Sequence, residues 1–270
     1  RVFSRVLLVF GLGPILAPFI GGYMLYFFDW HGIFVVLTAA GIAAVAVIFF
    51  RLDETRDPKH VRPLRIGSVV VGYWRLLTHR LFIGYVLCGA TMMAGTFAYI
   101  AGSPFVIEDL YGLSSQIFPW VFGVNALGFI IASQVNVRAQ RRWSADRVLF
   151  AALVFQGTAA VVLALDGWTG WGGLWGILVP LFFWVSTMGF VIPNTTALAM
   201  APFAANAGAA SALLGVVQFV LAAGSSALVG ALEDGTAHPM VSVMALCSAL
   251  SLSIQRLATR RARGPLPIAD

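Results

Sequence analysis

Long apolar runs separated by short polar connections make up most of the chain. Uncharged stretches fall at 6–28, 32–50, 81–103, 117–137, 148–165, 174–200, 209–232 and 239–255. A helix rises about 1.5 Å per residue and the hydrocarbon core of a bilayer is about 30 Å thick, so each run is long enough to cross or nearly cross it. The pattern predicts eight transmembrane helices. One boundary is unmarked, because no charge lies between Asp166 and Glu233.

The cations resolve that boundary, because connections on the cytoplasmic side collect Lys and Arg. All 17 fall in four places: Arg1 and Arg5, the 51–80 connection, the 138–147 connection and residues 256–263. Threading eight spans puts those groups on one side. The alternate connections hold Asp29, Glu108, Asp109, Asp166, Glu233 and Asp234 without a Lys or Arg. Asp166 and Glu233 then share the outer side, which requires two spans between them rather than three, with Pro202 and Asn206 in the turn. Both chain ends are placed in the cytoplasm.

Composition agrees: 60 % of residues are hydrophobic, 10 % are charged and the mean hydropathy is +0.89, far from a soluble domain. The reading is an all-α polytopic membrane protein. The net charge of +6 does not point to nucleic acid, because its cations sit in the connections. Cys88 and Cys247 lie in apolar runs and read as small hydrophobes, and no Cys/His spacing suits a metal. No acidic residue falls inside a predicted span. The chain opens on Arg1 with no signal peptide ahead of the first span, as a piece of a longer protein would.

The first span, VLLVFGLGPILAPFIGGYMLYFF, places Gly13, Ala17 and Gly21 four apart on one face, with Pro18 and Gly22 beside them. Small faces let membrane helices pack closely, and Ala222, Ser226 and Gly230 repeat the spacing in the seventh span. In the third span Met92, Thr96, Tyr99 and Ser103 share a face that suits either an amphipathic ligand or packing bonded through its hydroxyls. Asn125 and Gln218 are amides deep in apolar segments, so each faces either a neighbouring helix or a wet cavity. Asn194, beside Pro193, reads as substrate contact or as the cap of a broken turn. Trp184, Met188 and Phe190 read as packing. His31, His60, His79 and His238 lie at span ends or in connections. The connection from Leu52 to Thr78 reads as a tether between bundles or a segment lying on the membrane surface.

The stretch from Gly13 to Gly22 resembles the antiporter signature of major facilitator superfamily drug/proton exchangers, with Ala17 where that signature has glycine. DWHGIF, LDET, FAYIAGSPFVIEDLYGLS, FGVNALGF, PNTTALAM and AGAASALLGVVQF, in that order, resemble the Bcr/CflA branch of bicyclomycin- and chloramphenicol-type efflux proteins. The resemblance implies a partial major facilitator fold lacking about four front helices. Residues 1–51 would be the last two helices of the first bundle, 52–79 the central cytoplasmic loop, 80–258 the six-helix second bundle and 259–270 a tail.

It further implies a monomeric multi-pass protein of the bacterial cytoplasmic membrane that exports small amphipathic substrates in exchange for protons. No cofactor is expected beyond the proton gradient, and the coupling carboxylate is expected in the front helices. A metabolite exporter or facilitator on the same fold and a non-transporting membrane scaffold are the alternatives. An intramembrane enzyme is disfavoured, since neither G-x-S-x-G nor H-E-x-x-H occurs.

Overall fold

A computed structural model describes residues 20–24, 27–51, 66–114 and 117–262. The chain divides into two compact units, Arg1–Val69 and Val70–Asp270. In the first, residues 20–24 are helical and α1 spans Trp30–Arg51, with no buried residue. Most of the predicted 6–28 span lies outside the described residues.

The second unit begins within α2 (Ile66–Thr78) and continues through α3 (Arg80–Pro104), α4 (Phe118–Ala139), α5 (Ala145–Thr169), α6 (Gly173–Ser186), α7 (Met188–Met200), α8 (Ala207–Ala231) and α9 (His238–Ala262). Among the described residues seven helical stretches are long and apolar enough to cross a membrane: 30–51, 80–110, 118–139, 145–169, 173–203, 207–231 and 238–258. They coincide with seven of the predicted spans. The uncharged stretch after Asp166 does hold two spans, the first built from α6 and α7.

Local chemistry sets the ends and breaks of these helices. His79 Nδ1 accepts from the Phe82 amide and caps α3. Pro104 removes a backbone donor at the end of α3, and the chain widens there into a π-helical turn, Phe105–Leu110, which lengthens that span beyond its predicted end. α5 ends at Gly170, whose φ of +66° suits the left-handed cap, with its amide on the Asp166 carbonyl. Neither Pro180 nor Pro193 marks the break between α6 and α7. It falls at Thr187, whose hydroxyl donates to the Trp184 carbonyl at 2.6 Å.

α3 is the axis of the second unit, packed on α7, α8 and α9, while α4 and α5 close around α6 and α7. Its core contains Phe82, Met92, Leu153, Trp184, Met240 and Met244, all fully buried. Water is absent from a bilayer, so buried polar groups must be satisfied inside the protein. Trp184 Nε1 donates to Ser248 Oγ at 2.8 Å, and Ser248 in turn donates to the Met244 carbonyl. Several glycines permit tight crossings, Gly95 and Gly189 among them. A Cβ on Gly95 would stand 2.7 Å from the Trp184 ring, and one on Gly189 would stand 2.5 Å from the Ser133 amide nitrogen of α4.

Two expectations are corrected and a third gains detail. The buried stripe of α8 runs through Gln218, Ala222, Ser225 and Val229, so Ser225 and not Ser226 makes the close contact, donating to the Ala94 carbonyl at 2.7 Å; Gly230 is exposed. The small-residue spacing found one stripe, and the helix is rotated slightly from it. In the 52–79 connection, read as a tether or a surface-lying segment, the described second half is the helix α2. Leu76 is 3 % exposed and, with half-buried Tyr73, docks α2 on the bundle, whereas Val70, Trp74 and Leu77 form an exposed apolar stripe. Finally, acidic residues do occur within the spans. Asp166 lies inside α5 and is 7 % exposed, while Glu108 and Asp109 lie in the π-helical turn.

Candidate functional site

Met92, Thr96, Tyr99 and Ser103 do share one face of α3, and that face points into the bundle. Met92 Sδ accepts from the Gln156 side-chain amide of α5. Thr96 Oγ1 lies 3.0 Å from the Met92 carbonyl and 3.4 Å from Met188 Sδ of α7, a donor to both. The Ser103 hydroxyl is buried without a partner among the described residues. Met92 and Thr96 thus join α3 to α5 and α7.

Tyr99 is different. Its hydroxyl accepts a 3.0 Å hydrogen bond from Asn125 Nδ2 of α4, and its ring stacks on Phe122. Asn125 lines a cavity of about 580 Å³ between α4 and α6, whose other walls include Trp120, Val124, Trp175, Leu178 and Phe182. Asn125 is the one amide among those lining residues, and Tyr99 stands directly behind it. The arrangement offers an apolar, aromatic-rich space with a single oriented amide, which suits an amphipathic guest. The α6 wall was not foreseen, because that helix carries no charge or hydroxyl pattern to single out Trp175 or Phe182.

The other amides divide by role. Asn194 is fully buried and joins α7 to α4: its Nδ2 donates to Asn136 Oδ1 at 2.8 Å and its Oδ1 accepts from Gln140 Nε2 at 3.0 Å. It also donates to the Phe190 carbonyl at 2.7 Å, one turn back. It is a clasp across helices rather than the cap of a break, which lies at Thr187. Gln218 sits against Gly89 on α3, its Nε2 3.4 Å from where a Cβ would stand.

Gly13, Ala17 and Pro18 lie outside the described residues. Gly21 and Gly22 are helical, and no described atom lies within 4 Å of a Cβ built on either.

Two carboxylates tie helix ends together. Asp146 Oδ1 accepts from the Tyr85 hydroxyl at 3.0 Å and from Gln255 Nε2 at 3.1 Å, linking α5 to α3 and α9. Asp166 Oδ1 accepts from the Gly172 amide at the start of α6, while its Oδ2 is buried without a partner among the described residues. Partial burial, and secondarily the charge of Asp166, raise the Tyr111 hydroxyl above its ordinary pKa. No group of three or more His, Cys, Asp or Glu suited to a metal occurs among the described residues.

The sequence profile of the Major Facilitator Superfamily matches residues 1–227. A bicyclomycin resistance protein homolog of Haemophilus influenzae is 31 % identical over 261 residues, covering 97 % of this chain and 65 % of that protein. An uncharacterized MFS-type transporter of Bacillus subtilis, YdgK, is 36 % identical over 246 residues, 90 % of this chain and 61 % of that one. Multidrug resistance protein D of Escherichia coli is 26 % identical over 262 residues, 95 % and 64 % of the two chains. The chain thus spans 61 to 65 % of the length of these curated relatives. A profile match over most of the chain, on an all-helical structure with seven candidate spans, establishes that the chain belongs to the Major Facilitator Superfamily, a family of membrane transporters and not of enzymes, and is related to bacterial drug-resistance proteins.

Proposed function

We propose that the protein exports small amphipathic drugs across the bacterial cytoplasmic membrane in exchange for protons, by alternating access, as a monomer. The observation that carries this reading is the Tyr99 and Asn125 pair at the base of an aromatic cavity between α4 and α6. One oriented amide in an otherwise apolar space tolerates guests of varied shape, the property a multidrug site needs. The names of the bicyclomycin and multidrug resistance relatives support the same reading.

The placement of all 17 cations supports eight spans with both ends in the cytoplasm. On this reading residues 1–51 and 80–258 belong to two bundles, 52–79 connect them on the cytoplasmic side, and 259–270 form a tail. Gly13, Ala17, Pro18, Gly21 and Gly22 supply the packing face of the first span, and Gln218 adds a second amide to the substrate path. Asp146 and Asp166 are engaged in holding helix ends and are not assigned the coupling role.

The test is accumulation of chloramphenicol and of a fluorescent amphipathic cation in bacteria lacking their own drug pumps and expressing the complete gene. Reduced accumulation that an uncoupler abolishes is expected. Accumulation equal to that of cells without the gene, at verified membrane expression, would overturn the drug-export reading and leave a metabolite carrier or a scaffold.

A further inference from the structure

Two cavities adjoin at the turn between α4 and α5, and their chemistries are opposite. The first, about 550 Å³, runs between α5 and the break separating α6 from α7. Ala151, Ala152 and Phe155 of α5 and Phe190 of α7 form an apolar trough with Arg147 at its end. The second, about 460 Å³, is lined by Arg138, Arg141 and Arg142. Ala139 and Trp143 line both, so the basic cavity opens beside the apolar one around a single indole.

The charges here have no internal answer among the described residues. Among the described residues none of Arg138, Arg141, Arg142 and Arg147 forms an ion pair. Arg138 only donates to the Gln134 carbonyl at 3.2 Å, and the one acid of the turn, Asp146, is taken by Tyr85 and Gln255. Arg141, Arg142 and Arg147 are exposed. Guanidinium groups bind phosphate oxygens through paired donors, and basic pockets between membrane helices at the interface attract anionic head groups.

We infer that the two cavities together hold one anionic glycerophospholipid, its phosphate among the arginines and an acyl chain in the trough. Each half excludes another guest. A soluble anion has no use for a trough walled by Ala151, Phe155 and Phe190, a neutral lipid leaves the arginines unanswered, and a cationic drug is repelled by them. The position matches the guest, since the arginines stand at the ends of α4 and α5, where a bilayer places its phosphates. The chain also rests against Ser186 and Thr187, at the break of the α6–α7 span, so lipid occupancy bears on how that break is held.

The experiment is native mass spectrometry of the delipidated protein, expressed from its complete gene, titrated with dioleoyl phosphatidylglycerol or dioleoyl phosphatidylcholine. One phosphatidylglycerol is expected to be retained at concentrations at which phosphatidylcholine is lost. Arg141→Gln, Arg142→Gln and Arg147→Gln should weaken that retention by about fivefold each, and Ala151→Trp, which fills the trough, should remove it. The triple Arg→Lys variant should keep the preference, and glycerol 3-phosphate at equal concentration should not displace the lipid. Equal retention of the two lipids, retention unchanged by the Gln and Ala151→Trp variants, or displacement by glycerol 3-phosphate would each overturn the proposal. If Arg141→Gln or Arg142→Gln does not elute as folded protein, Arg147→Gln and Ala151→Trp decide the outcome.

Discussion

The side-chain amide of Asn125 donates a 3.0 Å hydrogen bond to the Tyr99 hydroxyl, while the Tyr99 ring stacks on Phe122 with centroids 5.0 Å apart. Tyr99 thereby fixes which way the one amide of the α4–α6 cavity points. Tyr99→Phe keeps the stacking and removes the acceptor. Interhelical hydrogen bonds of this kind contribute about 0.6 kcal/mol on average in membranes, so a small drop in thermal midpoint is expected. Efflux should fall by more than stability does. Unchanged drug accumulation in cells expressing Tyr99→Phe would remove Tyr99 from the site.

Gly189 and Gly157 make opposite predictions for the same substitution. A Cβ on Gly189 meets backbone atoms of α4, 2.5 Å from the Ser133 nitrogen and 2.6 Å from the Phe129 oxygen, and backbone cannot give way as a side chain can. Gly189→Ala should lower the melting temperature in detergent or abolish folded protein. Gly157 on α5 has nothing within 4 Å, so Gly157→Ala should be neutral or raise stability by about 0.5 to 1 kcal/mol through helix propensity.

Asp166 accepts from the Gly172 amide and so closes the turn between α5 and α6. Asp166→Ala should cost about 1 kcal/mol, as loss of a helix N-terminal cap does. Asp166→Asn keeps an acceptor oxygen and should cost less. Equal losses in the two variants, read by thermal unfolding followed by tryptophan fluorescence, would show that charge and not the hydrogen bond holds the turn.

α2 presents Leu76 to the bundle and Trp74, 67 % exposed, to its surroundings. Leu76→Glu should detach the helix and destabilise the unit, because it buries a charge without a partner. Trp74→Glu should leave the unit's melting temperature unchanged and instead weaken contact of α2 with lipid, measured as faster protease cleavage near α2 in vesicles. Equal protection of Trp74→Glu and unaltered protein would count against a surface-lying α2.

Asn194 bridges Asn136 and Gln140 across two helices. Asn194→Leu strands the buried Asn136 side chain in an apolar interior and also removes the acceptor of the exposed Gln140, so its cost should exceed that of Asn125→Leu, which removes one hydrogen bond at the edge of a cavity. Comparing the two melting temperatures checks this ordering.

Much of the architecture was readable one residue at a time. A charge cannot sit unpaired in hydrocarbon, so the charged groups from Arg51 to Arg80, from Arg138 to Arg147, and at Glu233 and Asp234 mark span boundaries whatever the helices pack against. The same constraint separated two spans from three in the uncharged stretch after Asp166, and the helical period correctly put Met92, Thr96, Tyr99 and Ser103 on one face. What that face touches was not local information. Thr96 meeting Met188, and Tyr99 meeting Asn125, depend on the rotation of α4 and α7 about their axes, which follows from close packing of small residues such as Gly189 against a neighbouring backbone. Asn194 shows the limit most plainly: beside Pro193 it resembles a local cap, yet its partners Asn136 and Gln140 lie more than fifty residues away in sequence. Bilayer solvation is a property of each residue and so is written in the sequence. Which polar group answers which, and whether arginines find an acid or leave their charge open to a lipid, is settled only when the helices are brought together.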